Sequence, residues 1–201
     1  MFTFDEEKHE YKENGIILPS VTQVIEDNGL SDFSRIPYEN LERARHKGEA
    51  YHLATEYWDK GILDEEKLSP ILVPLLASWK LFRKEYEVRV IENEMCSYSK
   101  KHRFGFTLDR VIEVGGGPNK RWVGRKAVLE IKSGAIPKTV GLQTGAYKIG
   151  YNETHTPQVN LRLCFKPVDE TKYIIKECDD PQDEVDFLHL LAATNIRKKL
   201  K

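Results

Sequence analysis

The sequence predicts a mixed α/β (α+β) protein: a mainly antiparallel central sheet flanked by helices, with a helical N-terminal portion. Three observations carry this. Residues 38–60 and 64–86 place apolar side chains at helical spacing. Residues 87–98, 103–114 and 122–132 instead alternate and are rich in β-branched side chains. Beyond them, helix-like and strand-like stretches intermingle without an internal repeat, a low-complexity segment or a linker.

Residues 2–18 read as a β-hairpin turned at Asn14-Gly15, two residues that tolerate positive φ. Pro19 ends the strand, and Ser20-Val21-Thr22-Gln23 has the form of a capping box that opens a short helix. The helix over 38–60 stops at Gly61 and carries Leu41, Ala44, Gly48, Tyr51, Thr55 and Trp58 as its packing stripe. Pro70 and Pro74 divide or kink the stretch 64–86. Of the three strands that follow, the second and third are joined by the glycine-rich turn at 115–121. A helix over 137–151 takes Pro137 as its first residue. Strands at 158–166 and 172–177 follow. Pro181 opens a last helix that ends in Arg197-Lys198-Lys199-Leu200-Lys201. The 201 residues are expected to form one domain, with hairpin and helices over 1–86, sheet and helix over 87–178, and a final helix over 179–201.

A hydrophobic fraction of 40% and a charged fraction of 31% suit a soluble globular chain. No apolar run is long enough to span a bilayer, and the acidic start Met1-Phe2-Thr3-Phe4-Asp5-Glu6-Glu7 is unlike a signal peptide, so a cytoplasmic protein is expected. Cys96, Cys164 and Cys178 are scattered, with no spacing for a disulfide framework or a zinc site. A net charge of −1 gives no global field toward nucleic acid, so any such contact must be local.

The informative stretch is Gly105-Phe106-Thr107-Leu108-Asp109-Arg110, followed by Glu130-Ile131-Lys132-Ser133-Gly134. Residues i and i+2 of a strand share a face, so Glu130 and Lys132 point the same way. A hairpin centred in the turn at 115–121 sets Asp109 opposite Glu130. Two adjacent carboxylates repel and call for a cation, for which Mg²⁺ or Mn²⁺ with oxygen ligands is suited. Such an ion lowers the pKa of a bound water and neutralises charge on a phosphate. Lys132 would orient the water or stabilise the developing charge. Spacing alone leaves a second reading open, in which Glu130 and Lys132 are an ordinary ion pair on a solvated strand.

This pattern resembles the PD-(D/E)XK nuclease superfamily, in particular its RecB-type and phage exonuclease branch. The resemblance rests on Gly105…Asp109, Glu130-Ile131-Lys132 and Gln143-Thr144-Gly145-Ala146-Tyr147. Upstream it includes the helical Gly48-Glu49-Ala50-Tyr51-His52, and the openings His9-Glu10-Tyr11 and Leu18-Pro19-Ser20-Val21-Thr22. It covers the chain to about residue 150. One departure is Leu108 where a proline commonly precedes the first acid.

The resemblance implies a restriction-endonuclease-like core. It implies a metal held by His52, Asp109, Glu130 and the Ile131 carbonyl, and catalysis by Asp109, Glu130 and Lys132. Gln143 and Tyr147, at i and i+4 on one helix face, would border the site or hold DNA. Glu94 is a candidate support from the preceding strand. The implied activity is DNA exonuclease action in phage-type recombination or repair, with a recombination partner or a second copy of the chain as possible associates. The alternatives are a structure-selective or single-strand endonuclease, and a non-catalytic nucleic-acid-binding module. Lys100, Lys101, His102, Arg103, Arg110, Arg121, Arg125, Lys126, Arg43, Arg45 and Lys47 are expected to contribute a local phosphate track. Trp58, Trp79 and Trp122 are candidates for stacking on bases or for packing.

Overall fold

The computed structural model describes residues 1–31 and 36–200; Lys201 of the basic tail lies outside them. The N-terminal segment is a three-stranded antiparallel meander of β1 (Phe2–Asp5), β2 (Glu10–Glu13) and β3 (Ile16–Leu18). The expected turn is present, with Asn14 at φ 50° and Gly15 at φ 80°. The simple hairpin is corrected by a second turn before β2, closed by His9 at φ 50°. Its signal in the sequence is Asp5, whose carboxylate accepts the Lys8 N–H at 3.1 Å.

Ser20 caps α1 (Val21–Asp27) reciprocally: Ser20 Oγ accepts the Gln23 N–H, and Gln23 Oε1 accepts the Ser20 N–H, both at 3.1 Å. α2 (Tyr38–Asp59) ends at Lys60, with Gly61 at φ 70° behind it. Only the second half of its predicted stripe is packed. Tyr51, Ala54 and Thr55 are buried, whereas Ala44 is exposed. The first half is served by pairs on its own surface, Arg45 with Glu42 and Glu49, and His46 with Glu42. A 3-10 turn at Glu65–Lys67 leads to α3 (Val73–Glu85), whose first turn takes Pro74.

β4 (Val88–Ser99), β5 (Phe104–Val114), β6 (Lys126–Ile131), β7 (Leu161–Asp169) and β8 (Lys172–Glu177) form one mixed sheet in chain order. Neighbours are antiparallel except β6 and β7. α4 (Val140–Asn152) supplies the crossover that a parallel pair needs, and α5 (Gln182–Lys199) packs beside it. β6 begins later than 122 because turns at Trp122 and Arg125 occupy the chain before it. α4 begins at Val140 rather than Pro137. Thr139 is its N-cap, and Pro137 lies ahead of it in a turn whose carbonyl accepts the Val140 N–H.

The sheet separates two apolar layers. On one face Tyr51, Leu76, Trp79 and Phe82 of α2 and α3 meet Ile112, Leu129 and Phe165. On the other, Val24, Ala146, Tyr147 and Phe187 of α1, α4 and α5 meet Phe104, Phe106, Leu108 and Val128. Trp79 and Trp122 are buried in the first layer, which excludes them as platforms for bases, and Trp58 packs at its margin. Among the described residues no helix is long and apolar enough to cross a membrane.

The meander is fastened to the sheet at Gly105. Its N–H donates to the Pro19 carbonyl at 2.9 Å, and a Cβ there would stand 2.1 Å from Cγ of Tyr11. Gly105→Ala is therefore expected to lower stability by about 1–3 kcal/mol through overpacking. A urea midpoint equal to that of the unaltered protein would contradict this contact.

Candidate metal centre

The site forms where two hairpins share β5. β5 and β6 pair Arg110 with Leu129 and Val111 with Val128, so one step further along the ladder Asp109 stands level with Glu130. β4 and β5 pair Asn93 with Arg110 and Met95 with Leu108, which sets Glu94 level with Asp109. Three carboxylates thus lie in a row across three adjacent strands. The same register argument applies to the hairpin closed by residues 100–103 and could have placed Glu94 from the sequence.

The strand is irregular at this point. Leu108 and Val111 belong to the same apolar layer although they are three residues apart, while Arg110 lies over Trp79 in the other layer. The alternation of β5 slips by one residue at Asp109–Arg110. Opposite the slip, Glu94 adopts the left-handed φ of 44°, a costly backbone state for a residue with a Cβ. The slip lets Asp109 serve both sides of the sheet.

From the α2 side comes His52. Gly48, one turn earlier, permits the approach: a Cβ there would stand 3.3 Å from Ser133 Oγ, just beyond the end of β6. His52 Nε2 donates to the Ile131 carbonyl at 3.0 Å. Its Nδ1 lies 3.5 Å from Asp109 Oδ1 and 3.6 Å from Glu94 Oε1. Ligand atoms of His52, Glu94 and Asp109 all fall within 4.8 Å of one another. The other oxygen of Asp109 is fixed by the Ile131 N–H at 2.6 Å.

From the α4 side come Gln143 and Tyr147. Gln143 Nε2 donates to Glu130 Oε1 and to the Tyr147 hydroxyl, both at 2.8 Å. Lys132 Nζ also reaches Glu130 Oε1, at 2.6 Å. Glu130 Oε2 is buried and has no hydrogen-bond partner among the described residues. The structure therefore gathers every predicted site residue into one neighbourhood and adds Glu94 to the innermost group. Glu130 stands beside that group, held by Lys132 and Gln143.

Behind the row lies a buried ion-pair network that the sequence reading missed. Arg110, expected in a phosphate track, is fully buried. Its guanidinium donates to Glu94 Oε1 at 2.8 Å, Asp59 Oδ2 at 2.9 Å and Thr55 Oγ1 at 3.0 Å. Asp59 in turn accepts from Trp79 Nε1 at 3.1 Å and pairs with Arg83. Arg121 and Arg125 are likewise engaged, by Glu177 and Asn160, at the far end of β6 from Glu130. Arg103 pairs with Glu13. The expected basic track thus loses Arg110 to the interior, and Arg45, Arg103, Arg121 and Arg125 each carry a partner on the surface.

The charges are mutually dependent. Burial opposes the imidazolium form of His52, but Asp109, Glu94 and Glu130 outweigh it and raise its pKa to about 9. Burial raises Asp109 to about 7, reinforced by the nearby Glu130 carboxylate and relieved in part by His52. Glu94 is also penalised by burial, yet His52 and Arg110 hold it below the ordinary carboxylate range. Burial disfavours the Lys132 ammonium, but Glu130 and Asp109 keep its pKa above the usual value. Tyr147 is pushed well above an ordinary phenol by burial and by Glu130 and Asp109. At neutral pH Lys132 is therefore a cation and Tyr147 a neutral donor. No family model matches this chain, and no curated protein matches it either.

Proposed function

We propose that this chain is a divalent-metal-dependent DNA nuclease of the PD-(D/E)XK type, acting as an exonuclease on free ends, and that its mixed sheet is the restriction-endonuclease-like core of that superfamily. The observation that carries the reading is the register across β4, β5 and β6. It brings Glu94, Asp109 and Glu130 level, with Lys132 on the Glu130 carboxylate and His52 facing Asp109. An ordinary ion pair on a solvated strand would be exposed, whereas Glu130 is 3% accessible and Asp109 6%.

The residues fit a hard divalent cation. His52, Glu94 and Asp109 offer a nitrogen and oxygens within 4.8 Å of one another, and Glu130 has an orphan buried oxygen beside them. Glu130 and the Ile131 carbonyl complete the donor set on the β6 side. When bound, the ion would polarise a phosphate and lower the pKa of a water. The chain's own groups do the rest. Lys132, held cationic by Glu130, neutralises charge that builds on a phosphate oxygen. Gln143 orients Glu130 through its amide N–H. His52 must lose its Nδ1 proton to act as a ligand, so cation binding is expected to release protons.

Incubation of linear DNA and closed circular DNA with Mg²⁺ or Mn²⁺ tests the reading. Linear DNA is expected to be degraded, circles to remain intact, and EDTA to stop the reaction. Cleaved circles would replace the exonuclease assignment with an endonuclease. Equal activity in Lys132→Ala would remove the catalytic assignment altogether.

A further inference from the structure

Two cavities flank the carboxylate row. The inner one, about 240 Å³, is walled by Asp109 and Glu130 of the sheet, by Gln143 of α4, and by His9, Ser20 and Thr22 on the N-terminal side. The outer one, about 650 Å³, opens beside α2 and includes Glu6, Glu49, Glu56 and His52. His9, Glu94 and Thr107 belong to both walls.

Both cavities are lined by acids, three carboxylates in the inner wall and four in the outer, and the catalytic pair distinguishes them. The outer wall sets four carboxylates, counting Glu94, against two imidazoles but holds neither Asp109 nor Glu130, whereas the inner wall holds both. The inner cavity joins three carboxylates, Glu94, Asp109 and Glu130, to hydroxyls, an amide and His9, with no lysine or arginine among the described residues of its wall. His9 is the imidazole of that wall, and its ring N–H can donate a hydrogen bond to a phosphate oxygen.

The imidazole is also held in place. His9 Nε2 lies 3.2 Å from the Tyr11 hydroxyl, which lies 2.9 Å from Thr107 Oγ1. Tyr11 is buried with its ring over Gly105, and Phe4 contacts His9 edge-on with centroids 5.3 Å apart. Nδ1 of His9 has no hydrogen-bond partner among the described residues. The left-handed turn before β2 thus presents an anchored imidazole at the partition between the cavities, across from the catalytic acids.

We propose that His9 is a substrate-contact residue that hydrogen-bonds a backbone phosphate of a nucleic-acid strand seated in the inner cavity. This rests on the nuclease reading and names the group that receives the strand. Thr107 and Tyr11 act as positioning residues for His9.

The test measures cleavage kinetics and, in a Lys132→Met background that prevents turnover, anisotropy of fluorescein-labelled oligothymidylate. His9→Ala is expected to raise KM and weaken binding by about ten- to a hundredfold, the worth of one hydrogen bond to a charged group. Its kcat is expected to stay within about threefold, because binding rather than chemistry is lost. His9→Arg is expected to recover most of the binding. Tyr11→Phe keeps the ring over Gly105 and removes the anchor, and a smaller loss of the same kind is expected. His9 is exposed, so its variants should melt like the unaltered protein. An active protein whose His9→Ala variant keeps KM and binding, or loses kcat alone, overturns this proposal and leaves the nuclease reading standing. A protein that neither binds nor cleaves DNA overturns both.

Discussion

Asp109→Asn is expected to leave the fold intact and reduce DNA cleavage by about a thousandfold or more, as removal of a central electrostatic contact does in a preorganised site. The asparagine can still accept the Ile131 N–H through its side-chain oxygen, the bond that Asp109 Oδ2 now makes at 2.6 Å. What it removes is one negative charge from the row with Glu94 and Glu130. Without a cation that removal relieves repulsion, because the neighbouring Glu130 adds to the burial that raises Asp109 to about 7. The variant should therefore melt at or above the temperature of the unaltered protein in EDTA, while calorimetric titration with Mn²⁺ finds its affinity reduced by about tenfold or more. Melting well below the unaltered protein would show that Asp109 is chiefly a structural acceptor. Unchanged Mn²⁺ affinity would take Asp109 out of the metal centre.

The second large effect is a pH dependence that a cation should cancel. The unfolded chain has ordinary values of 3.8 for aspartate and 6.5 for histidine, against about 7 for Asp109 and about 9 for His52 in the fold. Both folded values are raised, so both contributions favour the fold on the protonated side. That of Asp109 is complete below 3.8 and is lost as pH rises through about 7. That of His52 is complete below 6.5 and is lost as pH rises through about 9. Between pH 5 and pH 9 the cation-free protein should lose on the order of a few kcal/mol, which for a chain of this size is a fall in Tm of roughly 10 °C. Millimolar Mn²⁺ at the upper end should restore most of the loss, since binding to the native state adds stability by mass action. A Tm that is flat or rises over that range in EDTA would contradict the arrangement of charges.

Much of the β5–β6 half of the site was legible because a hairpin's register follows from its turn. The glycine-rich segment at 115–121 centres the pairing, and the observed pairs Arg110–Leu129 and Val111–Val128 continue to Asp109 and Glu130. The same geometry puts Glu130 and Lys132 on one face, where they meet at 2.6 Å. Gln143 and Tyr147 were singled out by the resemblance, and their i, i+4 spacing put them on one helix face; that α4 starts later than Pro137 does not matter, because a shift of a helix's first residue does not alter which side chains share a face. Glu94 was only partly legible. Its own strand carries a bulge near Ile91 and a left-handed residue, both of which local alternation conceals. Arg110 was misread because a charged residue on a strand defaults to solvent. Its burial depends on Asp59, Glu94 and Thr55, which come from α2 and β4 and leave no local mark on the sequence. His9 was visible as part of a motif, but the role proposed for it depends on a cavity whose wall joins the meander to the sheet.

The slip in β5 has a mechanical corollary. A strand with unbroken alternation would give Asp109 to one apolar layer or the other, and an acid on it could face either α2 or α4 but not both. With the slip, Asp109 faces His52 of α2 across one boundary and lines the same hollow as Gln143 of α4 across the other. The two hydrophobic halves of the molecule are thus coupled through one carboxylate at their common border, and a shear of either half against the sheet would be registered first in the spacing of the acids.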